Sequence, residues 1–194
     1  MYKPISVPEF ARKDFFDFTK AEAKEYLKWF INIKEERLEI LKQNVLLKIP
    51  DWQLDYSLDS LKVLYKWFKE QIGYRAITEE EKSLIVNQIN KTPLLSNVIS
   101  VPEFSFTVET VSICFDIGLY FGDVLISADK EIKWHLKLNS RNYIYYAQPL
   151  VSKIKSKVPL SPRAAIEGIA RRLLDKDVKE ITFIELYNIN LKKF

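Results

Sequence analysis

Val111 to Ile126 (VSICFDIGLYFGDVLI) is the longest apolar stretch of the chain, and it holds two carboxylates, Asp116 and Asp123. A spanning helix needs about 20 predominantly apolar residues. This run is too short and too charged to cross a bilayer comfortably, so no membrane association is expected. Its pattern fits a mostly apolar helix from about Thr107 to Phe121, while its β-branched residues keep a strand open. An acid inside such a run is costly unless something pairs with it. Asp116 therefore reads first as a partly buried, partnered carboxylate. Asp123 reads as the residue that ends the helix or begins a strand.

Upstream, the signals are helical. Thr19-Lys20-Ala21-Glu22 has the form of a capping box, in which the Thr hydroxyl and the Glu carboxylate satisfy early backbone N–H groups. It opens a helix expected over about residues 20–45, with Ala23, Tyr26, Leu27, Phe30, Ile33, Leu38 and Leu41 on one face. A second helix is expected from Ser57, with Gly73 as a left-handed stop. A third opens at the capping box Thr78–Glu81 and ends before Pro93. Residues 94–105 read as a connector. Downstream, Asp123–Ser127 and Ile132–Leu138 read as a hairpin, and Tyr143–Ala147 as a third strand of a small meander. Ser161-Pro162 starts another helix, with Pro at its first position. Residues 181–191 fit either a short helix capped by Thr182 and Glu185 or an edge strand. The fold class is α+β: an amino-terminal helical layer, then a small antiparallel meander packed with helices. One domain is expected over 1–194, with a possible helical lobe 1–93 and a mixed lobe 94–194.

Composition limits the chemistry. The chain has 194 residues, 47% hydrophobic and 29% charged, which is ordinary for a globular protein. Met1–Phe10 lacks the continuous apolar core of an export segment, and a single cysteine fits a reducing compartment, so the cytoplasm is the expected location. One His and one Cys cannot assemble the usual nitrogen and sulfur ligand sets. No metal site and no cofactor are expected; Asp116 with Asp123, flanking Tyr120, is the best oxygen-ligand alternative. Cys114 among Ile113, Phe115 and Ile117 reads as an inert core thiol. His135 reads as an exposed or satisfied histidine before it reads as a general base. Gly118 and Gly122 match no phosphate loop, and their small size suits close packing or a turn.

Two features remain. Lys34 and Arg37 project from the apolar stripe of the first helix. Lys34 can reach water, but Arg37 needs an acid from another element, Asp116 first and Asp59 second. The second feature is a charge asymmetry. Residues 132–174 carry nine basic side chains against Glu167 alone. Lys133, Lys137, Arg141, Lys153, Lys155, Lys157, Arg163, Arg171 and Arg172 interleave there with Trp134, Tyr143, Tyr145 and Tyr146. Cations with aromatics suit single-stranded nucleic acid and suit an acidic protein equally. The plainer reading is a solvated surface whose aromatics face the core.

The segments DFTKAEAKEYLKWF, LDYSLDSLKVLYKWF and DIGLYFGDVLI, followed by Trp134, together resemble small bacterial cytoplasmic proteins of uncharacterised families, some of them immunity proteins of toxin systems. The resemblance lies in patches between about residues 17 and 150, and no site residue follows from it. Nuclease-neutralising immunity proteins tend to be acidic; the basic balance here argues against a nuclease target. The leading expectation is a protein-binding module engaging a partner through the basic stretch. A nucleic-acid-binding protein using the same stretch comes second. Third is an enzyme or small-molecule binder around Asp116, Tyr120 and Asp123. Oligomeric state is not legible.

Overall fold

Thr19, Ser57, Thr78, Thr107 and Thr182 each accept the backbone N–H of the residue three positions on, and each marks the start of a helix in this computed structural model. The structure describes residues 1–90, 101–154, 156–175 and 177–194. Within them the helices are α1 (Lys20–Asn32), α2 (Lys34–Leu46), α3 (Leu58–Lys69), α4 (Glu79–Asn90), α5 (Val108–Ala128), α6 (Pro162–Leu174) and α7 (Phe183–Leu191). Strands β1 (Tyr74–Ala76) and β2 (Phe104–Phe106) form one antiparallel pair, and β3 (Ile132–His135) and β4 (Leu150–Lys153) another. The fold is α+β. Pro93 and the first part of the expected 94–105 connector lie outside the described residues; its last part forms β2.

The helix α5 is the centre of the core. Ile113 through Gly122 are buried without a break, so this part of the helix is covered on every side, and α5 packs against α2, α6, β2, β3 and β4. By length and composition it could cross a membrane, but 72% of its most apolar window is buried against the rest of the chain. One hydrophobic cluster runs from Tyr2 to Tyr187 through α5, drawing on both halves of the sequence. A smaller one joins Phe18, Ala23 and Tyr26 to Tyr146 and Ala147.

Several expectations need correction. The helix foreseen over 20–45 is interrupted at Ile33, whose N–H is shared between the carbonyls of Trp29 and Ile31. The break lets α1 turn Ala23 and Tyr26 into the smaller cluster while α2 turns Leu38, Leu41 and Val45 into the larger. Gly73 is not a left-handed stop; α3 ends at Lys69 with Glu70 as its C-cap. Instead the Gly73 N–H donates to Thr110 Oγ1 at 2.8 Å, and its carbonyl accepts from the Thr107 N–H. A Cβ there would stand 3.1 Å from Thr107 Oγ1. Among the described residues the left-handed ones are Tyr56 and Ala147, each at φ 61°.

The three-strand meander is absent from the described residues. Asp123–Ser127 continues α5, because Val124 and Leu125 extend its buried surface. β3 pairs with β4 instead, with Ile132 opposite Lys153 and His135 opposite Leu150. Tyr143–Ala147 is a chain of turns closed by Tyr143 N–H to Ser140, Tyr146 N–H to Tyr143 and Gln148 N–H to Tyr145. Ala147 lies at φ 61°, outside the extended region that a strand requires, and it and Tyr146 are buried together. The 181–191 tail is helical, with a complete capping box between Thr182 and Glu185.

Candidate functional site

Arg37 and Asp116 are both almost fully buried and meet as a two-point ion pair: Arg37 Nε donates to Asp116 Oδ1 and Nη2 to Oδ2, each at 2.7 Å. The amino-terminal segment closes over them. Tyr2 donates its hydroxyl to Asp116 Oδ2 at 2.5 Å, and Arg37 Nη2 donates to the Lys3 carbonyl at 3.0 Å. The Ile5 N–H reaches Ser112 Oγ one turn back along α5. Burial pushes the Asp116 carboxyl up to about 6, against the opposing pull of Arg37 and Tyr2. Among the described residues no buried side-chain nitrogen or oxygen lacks a partner. These groups hold one another, and the arrangement is a clamp between α2, α5 and the chain start. Asp59, the other acid considered for Arg37, instead pairs with Lys62 on its own helix.

Asp123 and Tyr120 turn elsewhere. Lys34 Nζ lies 2.8 Å from Asp123 Oδ2, and Trp134 Nε1–H donates to Oδ1 at 3.0 Å. The Tyr120 hydroxyl accepts the Tyr56 N–H at 2.9 Å and lies 2.5 Å from Ser60 Oγ. Burial pushes that phenol up to about 12. Asp116, Tyr120 and Asp123 thus share no partner. Among the described residues no three His, Cys, Asp or Glu side chains come together. Cys114 is wholly buried, and burial drives its thiol further from ionisation. His135 Nε2 sits 2.8 Å from Ser152 Oγ, and burial lowers its basicity.

The basic stretch divides into different settings. Lys153 is neutralised from outside the window, by Asp129 at 2.8 Å and Glu131 at 3.2 Å. Arg163 pairs with Glu167 along α6. Lys137 lies over the Tyr143 ring at 4.4 Å, with Tyr145 edge-on to that ring. At the end of α6, Arg171 stands over Phe106 at 4.9 Å, and Arg172 reaches the Lys179 carbonyl. Lys133, Arg141 and Lys157 are exposed and carry no ion pair among the described residues. Lys155 lies outside those residues. Trp134 is not offered to solvent as a stacking platform: its ring meets Phe30 edge-to-face at 5.0 Å, and its N–H is held by Asp123. Tyr146 is buried.

Sequence reasoning missed the aliphatic part of this surface. Ile144, Ile154 and Val158 are 66%, 81% and 58% exposed. Ile154 and Val158 alternate with basic and polar residues in Lys153–Val158 (KIKSKV). That alternation was the available signal. Beside it, Lys130, Lys133, Ile154 and Phe194 border a half-open groove of about 570 Å³, with Glu131 and Lys153 in its wall. Compared with models of protein families, with curated proteins and with solved structures, the chain matches none.

Proposed function

We propose that this protein acts by binding another protein, through the mixed basic and aliphatic surface of residues 130–158. The observation that supports it best is the exposure of Ile154 and Val158 on the same surface as Lys133 and Lys157, which carry no ion pair among the described residues. Two large aliphatic side chains exposed in one segment add apolar surface that a partner would bury, and the cations around them favour a partner with carboxylates. A nucleic acid would gain little from the aliphatic groups, and its bases would stack best on aromatic faces. Trp134 spends its ring on Phe30 and its N–H on Asp123. A neutralising, immunity-type role is the sharper form of this reading. A toxin gene beside the coding gene would support it.

The test is capture from native lysate with the whole chain as bait, with and without nuclease, beside an Ile154→Asp/Lys157→Glu bait. A protein retained after nuclease treatment and lost with the variant supports the reading. Retention that nuclease abolishes assigns the surface to nucleic acid.

A further inference from the structure

We infer that the groove between the α5–β3 turn and the end of β4 takes an acidic segment of the partner, with one large apolar side chain of that segment seated against Ile154 and Phe194. The inference rests on the protein-binding reading above and adds the chemistry of the occupant. A cleft of about 570 Å³ falls within the range of about 300–1,000 Å³ typical of ligand-sized sites. Its apolar surface comes from Ile154, 81% exposed, and Phe194.

The charges around the groove discriminate between occupants. Asp129 and Glu131 hold Lys153, so that ammonium is a fixed wall. Lys130 and Lys133 are ion-paired to nothing among the described residues, and residues 91–100, 155 and 176 contain no acid that could supply a partner. Two cations without an ion pair and an apolar surface therefore share one concavity with the side-chain carboxylate of Glu131. A continuous polyphosphate would meet the Glu131 carboxylate wherever it followed the lysines. A peptide does not, because its carboxylates are separate and an uncharged residue can lie between them. An apolar anchor flanked by acidic residues satisfies both parts of the lining, as buried anchors with a charged rim do at protein interfaces.

The probe is a labelled, end-blocked peptide of Asp and Glu residues around a central Phe, titrated into the full chain. Three comparators accompany it: the same peptide with Ser for Phe, a version with Lys for its acids, and a single-stranded oligonucleotide of similar length. The proteins are the wild type, Ile154→Asp, Lys130→Glu/Lys133→Glu, and a control, Lys62→Glu/Lys66→Glu, on α3. The altered side chains of the groove lie at the surface, and equal melting temperatures check that the fold is kept. The acidic Phe peptide should bind saturably, about tenfold or more tightly than its Ser and Lys versions. Both groove variants should weaken it by a similar factor, and the α3 control should not. Loss of saturable binding, equal affinity for the Ser version, indifference to the groove variants, or tighter binding of the oligonucleotide overturns the assignment. A captured protein partner lost with Lys137→Glu/Arg141→Glu but kept with both groove variants would overturn the groove while leaving the protein-binding reading intact.

Discussion

Trp134 covers Gly122 so closely that a Cβ on Gly122 would stand 2.1 Å from Trp134 Cζ2. The indole is held at three points: by the bare backbone of Gly122, by the edge of Phe30, and by its N–H bond to Asp123. Gly122→Ala must push the ring outward or spread α5 from β3. Overpacking of this kind costs about 1–3 kcal/mol. Denaturant unfolding should show that loss, and the double variant Gly122→Ala/Trp134→Leu should show less coupling strain than the sum of its parts. An alanine variant as stable as the wild type would mean that the indole is not seated as described.

Arg37→Met leaves Asp116 buried with only the Tyr2 hydroxyl. Removing one member of a buried pair costs about 3–5 kcal/mol, because the other charge remains without compensation. Replacing both, as in Arg37→Met/Asp116→Leu, should recover most of that loss. Denaturant unfolding of the single and double variants checks both statements. A single-variant cost of only a few tenths would show that Asp116 does not depend on Arg37.

His135 is the only histidine in the chain, so its titration is directly readable by NMR. Burial lowers its pKa, a neighbouring Lys137 adds to the effect, and the bond to the Leu136 backbone opposes it. An unfolded histidine takes up its proton near about 6.5. As pH falls through that value the unfolded chain therefore binds the proton first, and folding stability declines. His135 thus contributes a stability that is complete above the unfolded pKa and lost on acidification. The ring signal should titrate below about 6.5, and His135→Gln should flatten the stability loss between neutral pH and about pH 5. A folded-state midpoint above the unfolded value would reverse the sign.

Helix starts were readable because their determinants are local: Thr19 with Glu22 and Thr182 with Glu185 close reciprocal caps within a single turn. The costs that bring Arg37 and Asp116 together were readable too, since each is a lone charge in an apolar setting. The end of α5 was not. Asp123 looks like a terminator, and what lets the helix run past it is Lys34 and Trp134, distant in sequence. Tyr143–Ala147 has strand-forming residues, but the smaller core buries Tyr146 and Ala147 side by side, and packing overrides propensity. Charge counting over 132–174 misjudged Lys153, because Asp129 and Glu131 sit just outside the window.

That last correction changes what nucleic acid can gain from this surface. Only cations without an acid partner are free to neutralise phosphate. Among the described residues of 130–174 these are Lys130, Lys133, Lys137, Arg141, Lys157, Arg171 and Arg172, with Lys137 over Tyr143 and Arg171 over Phe106. With about 0.7–0.9 per phosphate contact, even full use of all of them gives a log–log salt slope of about −5 to −6. Stacking adds roughly 1–3 kcal/mol per base where an aromatic face is free, and Trp134 is engaged on Phe30. Binding of oligonucleotides should therefore be micromolar or weaker at about 0.15 M salt, the level of a generic basic surface. Labelled single-stranded and duplex oligonucleotides, titrated at two salt concentrations against wild type and Lys133→Glu/Arg141→Glu/Lys157→Glu, measure both quantities. Nanomolar affinity at physiological salt, a slope much steeper than the free cations allow, and loss of both in the triple variant would make nucleic acid the partner.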